Sequence, residues 1–169
     1  EFGHPEYRVN VNLSVLQLLQ KDIINVIANA IKVTGINPDN LVLEVTEGMA
    51  INDMDRMKEV LEKIHDLGVR LALDDFGTGY SSLSHMKDLP FDELKIDKCF
   101  VDDIDKDDYS DAFVRSVSQL ADAVNLNVVV EGVERDRQQD VLKGMDVDMI
   151  QGFLYDKPLP QDEFEKRWL

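Results

Sequence analysis

The property that most restricts the fold of this chain is its repeated exchange of a short apolar run for a longer amphipathic one. Strand-like runs fall at residues 8–13, 41–45, 70–73, 93–96, 127–130 and 149–152. Helix-like stretches fall at 16–34, 53–67, 81–89, 112–124, 135–143 and 162–169. In 53–67, Met57, Val60, Leu61 and Ile64 recur at helical spacing, and Gly68 stands where a helix stops. In 16–34 the same spacing links Leu18, Leu19, Ile23, Val26, Ile27, Ala30 and Ile31. Parallel strands need crossovers of this length, so about six strand–helix units in succession predict an α/β fold with a parallel sheet buried on both faces. Right-handed crossovers then leave an open doubly wound sheet or a barrel. No glycine-rich phosphate fingerprint follows the first strand, and Gly77-Thr78-Gly79 lies after the third, which disfavours the dinucleotide-binding open sheet.

A chain of 169 residues, 44% hydrophobic, is one domain spanning residues 1–169 with enough core to fold. Its net charge of -16 and pI near 4.4 oppose a nucleic-acid polymer or direct contact with an anionic membrane. An anionic small ligand would need local basic groups or divalent metals. The single Cys99 excludes an internal disulfide and zinc-finger spacing, reads as a buried or half-buried structural thiol, and fits a reducing cytoplasm. No run approaches the roughly 20 apolar residues of a membrane span, so the domain is expected in the cytoplasm even if a longer parent is membrane-tethered. His4, His65 and His85 lack ligand spacing, Ser81 and Ser82 occupy cap positions, and the acidic run 101–108 reads as a solvated loop.

Every predicted strand ends in a polar residue. Asn12 closes the first, Glu44 and Glu47 the second, Asp74 and Asp75 the third, Lys95 and Asp97 the fourth, Glu131 and Glu134 the fifth, and Gln151 the sixth. Several have ordinary readings: Asn12 as a turn residue, Asp75 and Glu134 as helix caps, Lys95 as a partner of Asp97, Gln151 as a backbone-satisfying amide. Glu44 and Glu131 have fewer, because each interrupts or ends an apolar run where an unpaired carboxylate is heavily penalised. In a parallel barrel the C-terminal strand ends converge on one face, so these residues would meet, and their oxygens suit hard cations.

With those residues assembled, the chain resembles the EAL family, bacterial phosphodiesterases that hydrolyse cyclic di-GMP. The resemblance rests on Val11-Asn12-Leu13-Ser14, Leu43-Glu44-Val45-Thr46-Glu47, Asp74-Asp75-Phe76-Gly77-Thr78-Gly79-Tyr80-Ser81-Ser82-Leu83, Lys95-Ile96-Asp97, Glu131-Gly132-Val133-Glu134 and Gln151-Gly152-Phe153. It implies a modified TIM barrel with one antiparallel strand, here an incomplete barrel of about six β/α units. It also implies a two-metal site for Mg²⁺ or Mn²⁺, with Ca²⁺ inhibitory. Asn12, Glu44 and Asp74 would hold one ion, and Asp75 with Glu131 would hold the other. Lys95 would contact the attacking water or the phosphate, Glu131 is also a general-base candidate, and Asp97, Glu134 and Gln151 would line the site. Glu47 would anchor the loop 76–82, which in the family links metal binding to dimerisation. Two metals would activate water and neutralise charge on the attacking and leaving oxygens of cyclic di-GMP. The Glu-Ala-Leu segment that names the family is absent from this sequence, and the resemblance begins near Gly3-His4-Pro5. About two strands and one metal-ligating glutamate are therefore expected outside it, leaving exposed edges that favour a homodimer or other self-association and weak catalysis in isolation. The parent is expected to carry further signalling domains. The alternative is a receptor or interaction module that binds the dinucleotide without turnover.

Overall fold

The structure is a computed structural model that describes residues 7–46, 54–79 and 88–169. Six strands, β1 (Val9–Asn12), β2 (Leu41–Thr46), β3 (Arg70–Phe76), β4 (Glu93–Ile96), β5 (Asn127–Val130) and β6 (Met149–Ile150), pair in sequential order, and every pairing is parallel. The α-helices among the described residues are α1 (Val15–Leu18), α2 (Ile23–Thr34), α3 (Met54–His65), α4 (Asp108–Asp122), α5 (Asp136–Leu142) and α6 (Gln161–Trp168). The sheet curls until Tyr7, Arg8 and Val9 at one edge and Met149 and Gln151 at the other line a common cavity of about 870 Å³. The Tyr7 hydroxyl donates to the Trp168 carbonyl at 2.7 Å across that seam. The incomplete barrel expected from the sequence is therefore present as a curled half-barrel; the antiparallel strand is not among these six.

Strand periodicity of two sorts the side chains. Leu41, Leu43 and Val45 of β2, Leu71 and Leu73 of β3, Leu94 and Ile96 of β4, and Val128 and Val130 of β5 join one core with the helices. Met57, Leu61 and Ile64 supply the α3 stripe and are 5% exposed or less, each such burial stabilising by about 1.5–3 kcal/mol. Gly68 ends the turn after α3 at φ +83°, a left-handed angle that other residues rarely adopt. The opposite, inward face alternates small apolar residues with charge: Val42, Ala72 and Val129 lie among Glu44, Asp74, Glu93 and Lys95, all buried. A sheet buried on both sides was expected, but only its outer face is uniformly apolar.

Three local expectations need correction. The predicted helix 16–34 is broken after Leu18, because at 100° per residue a continuous helix would set the buried Leu18 and Ile23 roughly 140° apart. The break lets both face the core. α4 starts a turn earlier than its apolar pattern, since Asp107 caps it by accepting from the backbone N–H of Tyr109 and Ser110. The acidic run is not simply solvated: Val101 and Ile104 are buried, and Asp105 pairs with Arg135 at 2.9 Å. Most of the predicted 81–89 helix lies outside the described residues. No helix among the described residues is long and apolar enough to cross a membrane.

Candidate functional site

Four adjacent strands deliver one charged residue each to the same end of the inward face. Glu44 comes from β2, Asp74 from β3, Lys95 from β4, and Glu131 follows β5 directly. The Lys95 ammonium lies 2.5 Å from Glu44 Oε1, 3.2 Å from Asp74 Oδ1 and 2.5 Å from Glu131 Oε1. Lys95 is 3% exposed, Glu44 6% and Asp74 8%. Burial alone would lower the Lys95 pKa, but hydrogen bonds with Glu131 and Glu44 and the charges of Glu131 and Asp74 outweigh it and hold the ammonium above the ordinary lysine range. Burial raises the Glu131 carboxyl, with Lys95 opposing and Asp74 and Glu44 reinforcing the shift. Three carboxylates against one ammonium leave a net negative pocket.

Asp75 follows Asp74 at φ +58°, a left-handed conformation that costs a non-glycine residue of order 1 kcal/mol. The cost has a structural return. In an unbroken strand Phe76 would share the inward face with Asp74; the irregularity between Leu73 and Phe76 instead pairs Phe76 with Ile96 and sends its ring into the core near Phe113. The Asp75 carboxyl is raised by desolvation and by the charges of Asp74 and Asp97. Gly77 then turns the chain at φ +98°, where a Cβ would come within 2.5 Å of the Phe100 ring.

The remaining expected site residues are dispersed. Asn12 pairs in register with Glu44 at the open end of β1 and is exposed. Asp97 is turned to its own backbone, accepting from the Cys99 N–H at 2.9 Å; burial would raise its carboxyl, but its hydrogen bonds with Cys99 and Lys98 hold it below the usual range. Lys95 is thus no partner of Asp97. Glu134 forms an ion pair with Lys98 at 2.6 Å, away from the Lys95 cluster. Gln151 uses its backbone to bridge Val130 and Val133, and it lines the seam between β1 and β6. Glu47, His4, His85, Ser81 and Ser82 lie outside the described residues. His65 closes α3 beside Asp92 at 3.3 Å. Cys99 is exposed rather than buried, and local desolvation together with Asp97 pushes its thiol up to about 11, which keeps it a poor nucleophile at neutral pH.

Sequence reasoning passed over two inward residues. Asn10 lies on the same face as Asn12, and its side-chain amide donates to Glu44 Oε1 at 2.7 Å. Glu93, two residues before Lys95, is 2% exposed and takes Arg8 at 3.0 Å and Arg70 at 3.9 Å in a second charged layer. The i, i+2 spacing of each pair was the available signal.

As to metals, no group of three or more acidic, His or Cys side chains among the described residues is arranged as a ligand set. The chemistry nevertheless suits a hard cation, because Glu44, Asp74 and Glu131 already direct oxygens at a single positive centre, the Lys95 ammonium.

The model of the EAL domain family matches residues 1–158. The bifunctional diguanylate cyclase/cyclic di-GMP phosphodiesterase MucR of Pseudomonas aeruginosa is 39% identical over 161 residues, which is 95% of this chain and 24% of that protein. A solved PaMucR phosphodiesterase in complex with c-di-GMP superposes with a TM-score of 0.90 at 39% identity, covering 96% of this chain and 66% of that one. Klebsiella pneumoniae BlrP1, solved as a manganese/cyclic di-GMP complex, gives a TM-score of 0.83 at 32% identity, covering 89% of this chain and 39% of that one. The chain thus spans about a quarter of the length of the curated relative.

Proposed function

The chain belongs to the EAL domain family, and from that premise we propose that its Glu44, Asp74, Lys95 and Glu131 centre serves metal-dependent hydrolysis of cyclic di-GMP to linear pGpG. The observation that carries the reading is the convergence of three carboxylates, Glu44 and Asp74 buried and Glu131 half-buried, from the ends of three strands on one cationic position. Glu44 and Asp74, with Asn12 at the strand end beside them, are the residues that would hold a first Mg²⁺ or Mn²⁺, and Asp75 with Glu131 a second. Divalent cations bound there would lower the pKa of a water molecule and neutralise charge on the phosphodiester.

Lys95 stays charged at neutral pH, because its pKa is raised, and can donate to a phosphoryl oxygen of the dianionic substrate. Burial raises the Glu131 carboxyl and so brings it nearer the working pH, as a proton acceptor requires. The Asp75 carboxyl is raised by its own desolvation and then by Asp74, so added positive charge beside it would favour its ionised form. The global charge of -16 repels the ligand, so its approach depends on this local neutralisation.

Incubation with cyclic di-GMP and Mn²⁺ should yield pGpG by chromatography, slowly for this chain. Chelation, Ca²⁺ or Glu131→Gln should stop it. The alternative is a receptor that binds the dinucleotide without turnover. Calorimetric binding of cyclic di-GMP with no product in Mg²⁺ would support it. Self-association through the exposed β1 edge, where Val11 is 44% exposed, is part of the proposal. Sedimentation velocity tests it: a concentration-independent compact monomer would remove it. A cytoplasmic setting fits a site that takes a diffusible nucleotide.

A further inference from the structure

We propose that Asn10 is a positioning residue for the metal site, fixing which oxygen of Glu44 faces a bound cation; the proposal rests on the reading above. Asn10 pairs in register with Val42, so its side chain reaches forward along the inward face to Glu44. Its Nδ2 donates to Glu44 Oε1 at 2.7 Å, and Lys95 Nζ donates to the same atom at 2.5 Å. Both hydrogen bonds to the Glu44 carboxylate among the described residues therefore end on Oε1. The carboxylate is pinned about that oxygen, and Oε2 is the one left to meet a hard cation.

The two donors differ in what happens to them next. Lys95 is shared with Asp74 and Glu131 and has other work at the phosphate. Asn10 is neutral, does not compete for charge, and comes from a strand that supplies no carboxylate to the cluster. When Lys95 turns to a substrate phosphate, Asn10 remains to hold the ligand's orientation. A carboxylate of 6% exposure that lost this bond would keep its charge but gain rotational freedom, and such losses behind a ligand cost 10–100-fold in metal affinity.

The test is calorimetric titration with Mn²⁺ alone, on the wild-type chain and on Asn10→Ala, Asn10→Asp and Val9→Ala, with thermal unfolding of each in chelator. Val9 lies on the opposite face of β1 and controls for general strand damage. The expected result is binding weakened by about 10–100-fold in Asn10→Ala and at least as much in Asn10→Asp, with Val9→Ala unchanged and little movement of the metal-free midpoint for Asn10→Ala. Equal Mn²⁺ affinity in wild type and Asn10→Ala overturns the proposal while leaving the metal site standing. Tighter binding by Asn10→Asp overturns it too, because residue 10 would then be a ligand. If the wild type takes up no Mn²⁺ at millimolar concentration, the functional reading fails and this proposal with it.

Discussion

Replacing Lys95 by Met tests whether the ammonium is what permits three carboxylates to share one buried pocket. At an effective dielectric of about 20, each contact of 2.5–3.2 Å is worth about 5–7 kcal/mol of gross attraction. Repulsion among the carboxylates and the desolvation of Lys95 cancel much of that sum. What deletion exposes is the uncompensated charge, and removing one partner of a buried pair costs about 3–5 kcal/mol. For a domain of this size that is a fall of roughly 6–20 °C in the thermal midpoint measured in chelator. The pH dependence has a definite sign. Without Lys95, the Glu131 carboxyl, already raised by burial, rises further; a raised folded pKa means the native state binds protons better than the unfolded chain, so stability returns as pH falls. The gap between wild type and variant should narrow as the pH falls through the range in which Glu131 takes up its proton. Saturating Mn²⁺ at about a hundred times its Kd should return about 2.7 kcal/mol. A variant within about 2 °C of wild type in chelator, with a parallel pH profile, would refute the reasoning.

Among the described residues, Arg8→Met leaves Glu93 with only the longer Arg70 contact and, since Arg8 is itself partly exposed, should cost about 1–2 kcal/mol by urea unfolding. Burial raises the Glu93 carboxyl despite Arg8 and Arg70, so the cost should be largest above neutral pH and shrink on acidification as Glu93 takes up a proton. Gln138→Leu should cost about 2–4 kcal/mol in the same assay, because the Gln138 side chain accepts from the N–H of Glu134 and Arg135 and donates to the Val101 carbonyl. Gly152→Ala would drive a Cβ into the backbone of Val133, which is fixed by its bonds to Gln151 and Leu154. It should lower the unfolding free energy by about 3 kcal/mol and weaken Mn²⁺ binding through Glu131, two residues upstream of Val133.

The strand ends were legible because acids interrupting apolar runs are costly and therefore conspicuous: Glu44, Asp74 and Glu131 meet as their positions implied. The partner of Lys95 was less so, since Asp97 is near in sequence while the three carboxylates are near only through strand pairing. Asn10 and Glu93 needed the register as well, because nothing local separates an inward polar residue from a solvated one. The break after Leu18 follows from the angular demand of packing Leu18 and Ile23 together, a tertiary effect invisible to periodicity. Val101 and Ile104 were masked by the acids around them, although they are what ties that segment to the core.

The central claim is that the clustered carboxylates bind cyclic di-GMP through divalent metal. Its most direct test is calorimetric titration of the chain with cyclic di-GMP in Mn²⁺ and again in chelator, repeated with Glu44→Gln. Binding should appear only with the metal and be lost in the variant. Binding of equal strength in chelator, or binding unaffected by Glu44→Gln, would contradict it.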